Sequence, residues 1–180
     1  MVHMLGDIAS WKRLVSLGIV EWAESKKASG EIRQFGFSYH GGTAEFKELI
    51  DAYDWDFCQV QYNYLDETSQ AGRIGLQAAA DKGIPVVIME PLRGGRLVNG
   101  LPEKARKLVA DDAKGRSAAE LAFRWLWDQK GVTCVLSGMN SKKMIAENIR
   151  TASETRPGSL TKEDHEFLDQ VCQAIRENMK

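Results

Sequence analysis

Residues 84–96 read Ile-Pro-Val-Val-Ile-Met-Glu-Pro-Leu-Arg-Gly-Gly-Arg. Pro85 to Met89 are all apolar, and the run predicts a strand buried on both faces, as in a parallel sheet covered by helices. Pro91 lacks an N–H and ends the ladder. Beyond it come two glycines, Gly94 and Gly95, that let a backbone approach a ligand closely, flanked by Arg93 and Arg96. In parallel α/β folds ligands sit outside the carboxyl ends of the strands. The loop is therefore expected to touch an anionic ligand.

Working outward, the strand–helix alternation repeats. Upstream, Phe57 to Tyr62 alternates so that Gln59 and Gln61 share a face. That face is either buried, and both amides need partners, or it lies open on an edge strand. Gln34 to Ser38 reads as another strand, followed by Tyr39-His40-Gly41-Gly42 and a helix capped by Thr43. Ser10 is expected to cap one helix running to Gly30, and a helix over about 73–82 leads into the opening stretch. Downstream come a helix near 103–111, a capping box at Ser117 and Glu120, and a helix carrying Leu121, Phe123, Trp125 and Leu126. A strand over 133–137 then leads through Gly138 to Ser141 into a helix with Met144, Ile145 and Ile149. Residues 151–159, TASETRPGS, read as a linker because Pro157-Gly158 breaks any element. Thr161 and Asp164 open a last amphipathic helix through Phe167, Leu168, Val171 and Ile175.

Strands alternating with helices imply an α/β fold with a parallel sheet and right-handed crossovers. A closed eight-unit barrel takes about 250 residues. With 180 residues and four clear units preceded by the end of one strand, the chain is expected to form a single domain, 1–180, that is part of a barrel.

Composition narrows the classes. Hydrophobic residues make up 43% of the chain and the net charge is −1, which leaves no electrostatic footprint for nucleic acid or acidic lipid. No segment approaches the roughly 20 apolar residues of a membrane span, and the start, MVHMLGDIAS, lacks the basic and apolar regions of a signal peptide. A cytoplasmic protein with no nucleic-acid or membrane partner is expected. Cys58, Cys134 and Cys172 are odd in number and sit in apolar patterns, which predicts buried or semi-buried thiols in a reducing compartment. His3, His40 and His165 have no metal-ligand spacing with one another or with any cysteine, so no metal is expected.

Four strand ends would share one rim: 38–40, 62–63, 90–96 and 138–141. The last opens a helix, where free N–H groups and the dipole favour anions, and Lys142 and Lys143 add charge. Barrel phosphate sites often come from the loops after the last two strands. A glycine turn, a cap and solvated cations would give the same pattern.

Segments 30–41 (GEIRQFGFSYHG), 54–67 (DWDFCQVQYNYLDE), 84–95 (IPVVIMEPLRGG) and 137–149 (SGMNSKKMIAENI) together, and in this order, resemble the carboxyl-terminal half of an aldo-keto reductase. The likeness is to bacterial members that often carry a ferredoxin-like cluster at the far end. No C-x-x-C run follows Cys172, so no cluster is expected here. The resemblance implies a partial TIM (β/α)8 barrel: about the last four βα units, the end of the fourth strand and a carboxyl-terminal helix. It also implies hydride transfer from NADP(H) or NAD(H) to a carbonyl. Under it, Ser38 and Gln59 would bind the nicotinamide carboxamide, and Met89 would take the place of an aromatic ring against the nicotinamide. Leu92, Arg93 and Gly94 would lie along the pyrophosphate. Gly138, Met139, Asn140, Glu147 and Asn148 would hold the adenosine end.

There are departures. Tyr39 and His40 stand where many members have Asn-Phe, and Met144 replaces a frequent adenine-side arginine, which leaves NADP against NAD open. His3 would match the catalytic histidine that orients the substrate carbonyl, or else be a frayed terminal side chain. The family's aspartate, tyrosine acid and lysine come from the earlier half and have no counterpart here, so the chain alone is not expected to reduce carbonyls. Unpaired sheet edges invite association. The expected partners are a second copy of the chain or a separate first-half polypeptide, with a small carbonyl substrate only in the completed site. The alternative is a non-enzymatic half-barrel assembly module.

Overall fold

Burial along Val86-Val87-Ile88-Met89 alternates: Val86 and Ile88 are fully buried, whereas Val87 and Met89 are half-buried. The strand expected to be covered on both faces is thus covered fully on one. The computed structural model from which this comes describes residues 1–179. Its elements are β1 (Val2–Leu5), α1 (Ile8–Ser16), α2 (Ile19–Ala28), β2 (Gly36–Tyr39), α3 (Thr43–Asp51), β3 (Phe57–Gln61), α4 (Gly72–Asp81), β4 (Val86–Met89), α5 (Arg96–Asn99), α6 (Glu103–Ala110), α7 (Ala118–Asp128), β5 (Val132–Val135), α8 (Lys142–Glu154) and α9 (Lys162–Glu177). The chain forms two compact units. The first comprises Met1–Gln61, Thr68–Met89 and Gly131–Cys134. The second comprises Tyr62–Glu67, Glu90–Lys130 and the chain from Val135 onward.

The first unit holds a five-stranded sheet in the order β1-β2-β3-β4-β5. β1 pairs parallel with β2, β2 with β3 and β3 with β4. Each strand neighbours the next in sequence, as βα repetition requires. Register aligns Phe37, Cys58 and Val86 in one row and Tyr39, Val60 and Ile88 in another. All six are buried, and the Phe46 ring of α3 lies 5.0 Å from Tyr39 and 6.0 Å from Phe37. Each such side chain contributes about 1.5–3 kcal/mol by leaving water. On the opposite face a row of Ser38, Gln59 and Val87 runs beside Gln61 and Met89.

Trp11, Phe35, Phe37, Tyr53 and Trp55 make an aromatic cluster, with Trp55 4.6 Å from both Trp11 and Phe37. The Trp55 indole N–H donates to the Leu49 carbonyl at 2.9 Å. Asp7, not Ser10, caps α1, its carboxylate accepting from Ser10 N–H at 2.6 Å. The single helix expected up to Gly30 is two, because Gly18 takes φ +85° and breaks it. Likewise Gly42 is the cap of α3, and Thr43, its first residue, donates instead to the Gln70 carbonyl at 2.9 Å.

In the second unit α9 packs on α6, and α7 packs on both α8 and α5. Charged groups tie the helix ends. Asp164 accepts from Lys114 and Arg116, and Arg116 also binds Asp112. Glu120 accepts from Arg124 at 2.8 Å and Arg150 at 2.9 Å. Thr161 and Asp164 form a full capping box on α9. At α7 only half of the expected box forms: Ser117 accepts from Glu120 N–H, while the Glu120 carboxylate turns to the two arginines. α8 runs through Glu154 with Thr151 fully buried, so the irregular piece begins at Thr155 rather than at residue 151. Among the described residues, no helix is long and apolar enough to cross a membrane.

Candidate functional site

Ser38, Gln59 and Met89 come from three adjacent parallel strands of the first unit. Parallel pairing brings Ser38 opposite Gln59 and Gln61 opposite Met89. The Ser38 hydroxyl is fully buried and accepts from Met4 N–H at 2.9 Å. It also lies 3.0 Å from His3 Nδ1. The hydroxyl keeps one donor hydrogen and a second lone pair, so it can pair with either neutral tautomer of His3. Met4 sits at φ +59° in a strand whose register to β2 shifts between Val2 and Leu5. Gln59 Nε2 donates to Met89 Sδ at 3.3 Å. Thioether sulfur is a weak acceptor, so a better acceptor could take that donor. Gln61 Oε1 accepts from Gln70 Nε2 at 2.9 Å, while Gln70 Oε1 is buried without a partner. Both glutamines of β3 are half-buried, which answers the choice between a buried face and an open one: the face is partly covered and polar.

In the second unit Leu92, Arg93 and Gly94 form one turn together with Glu90 and Gly95. Glu90, Arg93, Gly94 and Gly95 all take positive φ, between +52° and +84°. For Glu90 and Arg93 this is a strained conformation of a kind that persists where surrounding contacts impose it. Asn63 supplies those contacts. It is fully buried, and its amide nitrogen donates to the Glu90 carbonyl at 3.2 Å and to Asp66 Oδ2 at 3.1 Å. Its oxygen accepts from Leu65 and Asp66 N–H. Asp66 in turn holds Arg93 Nε at 3.2 Å. Sequence reasoning marked Asn63 as a strand end but gave it no role. An Asn followed three residues later by Asp is the available signal, because Asx side chains satisfy their own turn.

Gly138, Met139 and Asn140 are exposed between β5 and α8, and Ser141 caps that helix, accepting from Met144 N–H at 3.2 Å. Glu147 hydrogen-bonds the Ser117 hydroxyl, and Asn148 donates to the Ser137 hydroxyl at 3.1 Å. Of the residues expected to hold adenosine, Glu147 is engaged with α7 and Asn148 with its own strand end, while Gly138, Met139 and Asn140 are exposed.

Cys58 and Cys172 are buried, and Cys172 Sγ donates to the Tyr64 carbonyl at 3.3 Å. Cys134 is exposed on β5, against expectation, and so is Thr133 beside it. Among the described residues, no group of three or more His, Cys, Asp or Glu side chains is arranged to hold a metal.

The family model described as the aldo/keto reductase family matches residues 8–172. The chain belongs to this family. No curated protein matches its sequence. Among solved structures, an aldo-keto reductase from Bacillus halodurans in its holo form matches with a TM-score of 0.70 at 22% identity, over 96% of this chain and 57% of that one. Its apo form matches with a TM-score of 0.64 at 24% identity, over 84% and 55%. A thermostable aldo-keto reductase solved with the inhibitor epalrestat gives 0.62 at 24%, over 83% and 52%. At these identities the likeness speaks for the fold. This aldo-keto reductase chain spans little more than half the length of those structural relatives.

Proposed function

We propose that this chain is the cofactor-binding half of an NAD(P)H-dependent aldo-keto reductase, folded as a partial barrel and inactive in carbonyl reduction alone. The observation carrying the reading is that Ser38, Gln59 and Met89 lie on one face of three adjacent parallel strands, with Gln59 Nε2 3.3 Å from Met89 Sδ. A hydroxyl and an amide at that spacing suit a carboxamide, which needs one acceptor and one donor, and the soft Met89 thioether suits an aromatic ring face. The present partners of these groups are His3, a backbone N–H and a thioether, all exchangeable for ligand atoms. NADPH or NADH would supply hydride to a carbonyl carbon. The chain's own residues would orient the nicotinamide through Ser38 and Gln59, approach the pyrophosphate with the backbone of Leu92, Arg93 and Gly94, and flank the adenosine with residues 138–140, Glu147 and Asn148. His3, from β1, would orient the substrate carbonyl. The general acid, worth ~10²–10⁴-fold, has no candidate among these residues.

Titration of NADPH with the purified chain, followed by nicotinamide fluorescence, tests this. Saturable enhancement that Gln59→Leu weakens is expected, and no binding at millimolar cofactor sinks the reading.

A second reading, an assembly module, is favoured by the sheet's open ends. β1 and β5 each lack one neighbour, and Met4 on β1 is 65% exposed. Unpaired parallel edges accept a further strand, from a second copy or a first-half polypeptide. A monomeric mass in solution would count against self-pairing.

A further inference from the structure

Within the second unit, the loop through Arg96 and the end of α9 line a cavity of about 210 Å³. Its walls include Leu65, Leu97, Leu101 and Ile175, and two arginines, Arg93 and Arg96, also line it. Leu97 and Ile175 are buried elsewhere along their surfaces, so the apolar part of the groove is fixed by packing.

The charge count decides what such a groove would hold. Arg93 is already matched: its Nε lies 3.2 Å from the Asp66 carboxylate and its Nη1 is 3.7 Å from Met179 Sδ. Arg96 is exposed and makes no ion pair or side-chain hydrogen bond with any described residue. One uncompensated cationic residue therefore lines the groove. The exposed Glu90 carboxylate on the same turn further disfavours a multiply charged anion. A guanidinium presents a planar fork that a carboxylate matches in two hydrogen bonds. The left-handed backbone at Arg93 (φ +52°), held by the Asn63–Asp66 turn, keeps the loop in the conformation that forms one wall. The volume equals about seven water-sized groups, which is small for a dinucleotide and suited to a short chain or single ring.

We propose that this groove binds an amphiphilic monoanion, a carboxylate on a short apolar tail, with the carboxylate on Arg96 and the tail against Leu97, Leu101 and Ile175. The assignment does not depend on the cofactor reading, because the groove's single free charge and apolar walls suit neither a pyrophosphate nor a sugar.

The test is calorimetric titration of the full chain with sodium hexanoate, alongside acetate, hexanol and pyrophosphate. Hexanoate is expected to bind at one site, more tightly than acetate (same charge, no tail) or hexanol (same tail, no charge). Arg96→Gln should weaken it roughly tenfold, the loss of one charge-assisted pair. Leu101→Glu, which sets a like charge beside the tail, should abolish it. Circular dichroism of both variants checks that they fold, and two positions guard against one failing to. Hexanoate binding no better than acetate, unchanged affinity in both variants, or displacement by pyrophosphate at lower concentration would each overturn the assignment.

Discussion

Burial lifts the Cys58 thiol to about 12 and, with smaller effects from nearby charges, the Cys172 thiol to about 11. Both are inert at neutral pH, since the thiolate is the reactive form. Cys134 is exposed. The native chain should therefore release one equivalent of chromophore quickly from an aromatic disulfide reagent, and three after urea; Cys134→Ser should remove the fast phase. Asp164 shows the opposite balance. Burial alone would raise its pKa, but Lys114, the Thr161 N–H and Arg116 outweigh that and hold it well below the usual aspartate value of 3.8. A carboxyl depressed in the folded state adds stability that is complete above the unfolded pKa and is lost as pH falls. Urea midpoints should accordingly be flat above about pH 5 and decline below pH 4. Asp164→Asn should cost about 2–3 kcal/mol at pH 7, by weakening a capping box and leaving Arg116 one partner short. A variant as stable as the parent at pH 7, or one that keeps the full acid decline, would contradict this.

Gly41 is the most constrained position among the turns. A Cβ there would collide with the Gly6 carbonyl oxygen and the Tyr39 hydroxyl, whose own hydrogen bond goes to the Gly42 carbonyl at 2.6 Å. Gly41→Ala should lower stability by about 1–3 kcal/mol, as overpacking does, measured by thermal melting; an unchanged midpoint would show that the loop yields. Elements were legible in the sequence and their ends less so. Every expected strand forms, and every expected helix but the one up to Gly30, which is two, because apolar periodicity reports which face meets the core. The caps slipped where two capping residues compete: Asp7 and Ser10 are three apart, and only the backbone decides between them, with Asp7 extended at φ −156°. The α1–α2 break was missed because a glycine inside a helical pattern is tolerated unless its φ turns positive. One-sided cover of β4 was unreadable because Val87 and Met89 are as apolar as their buried neighbours.

For the chain as a whole, the family was legible from four motif segments in order. The Asn63–Glu90 hydrogen bond that ties the Asn63–Asp66 turn to the Arg93 loop was not, since it joins residues 27 apart in sequence. A parallel sheet ordinarily has helices on both faces, and only closure into a barrel removes its edges. Here half-buried polar side chains line one face, and β1 and β5 end the order. If the edges pair with a second copy, light scattering should give twice the 20.1 kDa chain mass, and Met4→Lys, which charges the exposed β1 edge, should shift the population toward monomer. A monomer in the parent chain would rule out self-pairing.

The aromatic cluster of the first unit has an optical consequence. The Trp11 and Trp55 rings lie 4.6 Å apart at an angle of 55°, close and skewed enough for their transition dipoles to couple. Such a pair splits one indole absorption into two bands of opposite rotational strength, so the near-ultraviolet dichroism should contain a couplet absent from either Trp→Phe variant. That couplet would report on the first unit alone, even while the Trp125 and Trp127 signals report on the second.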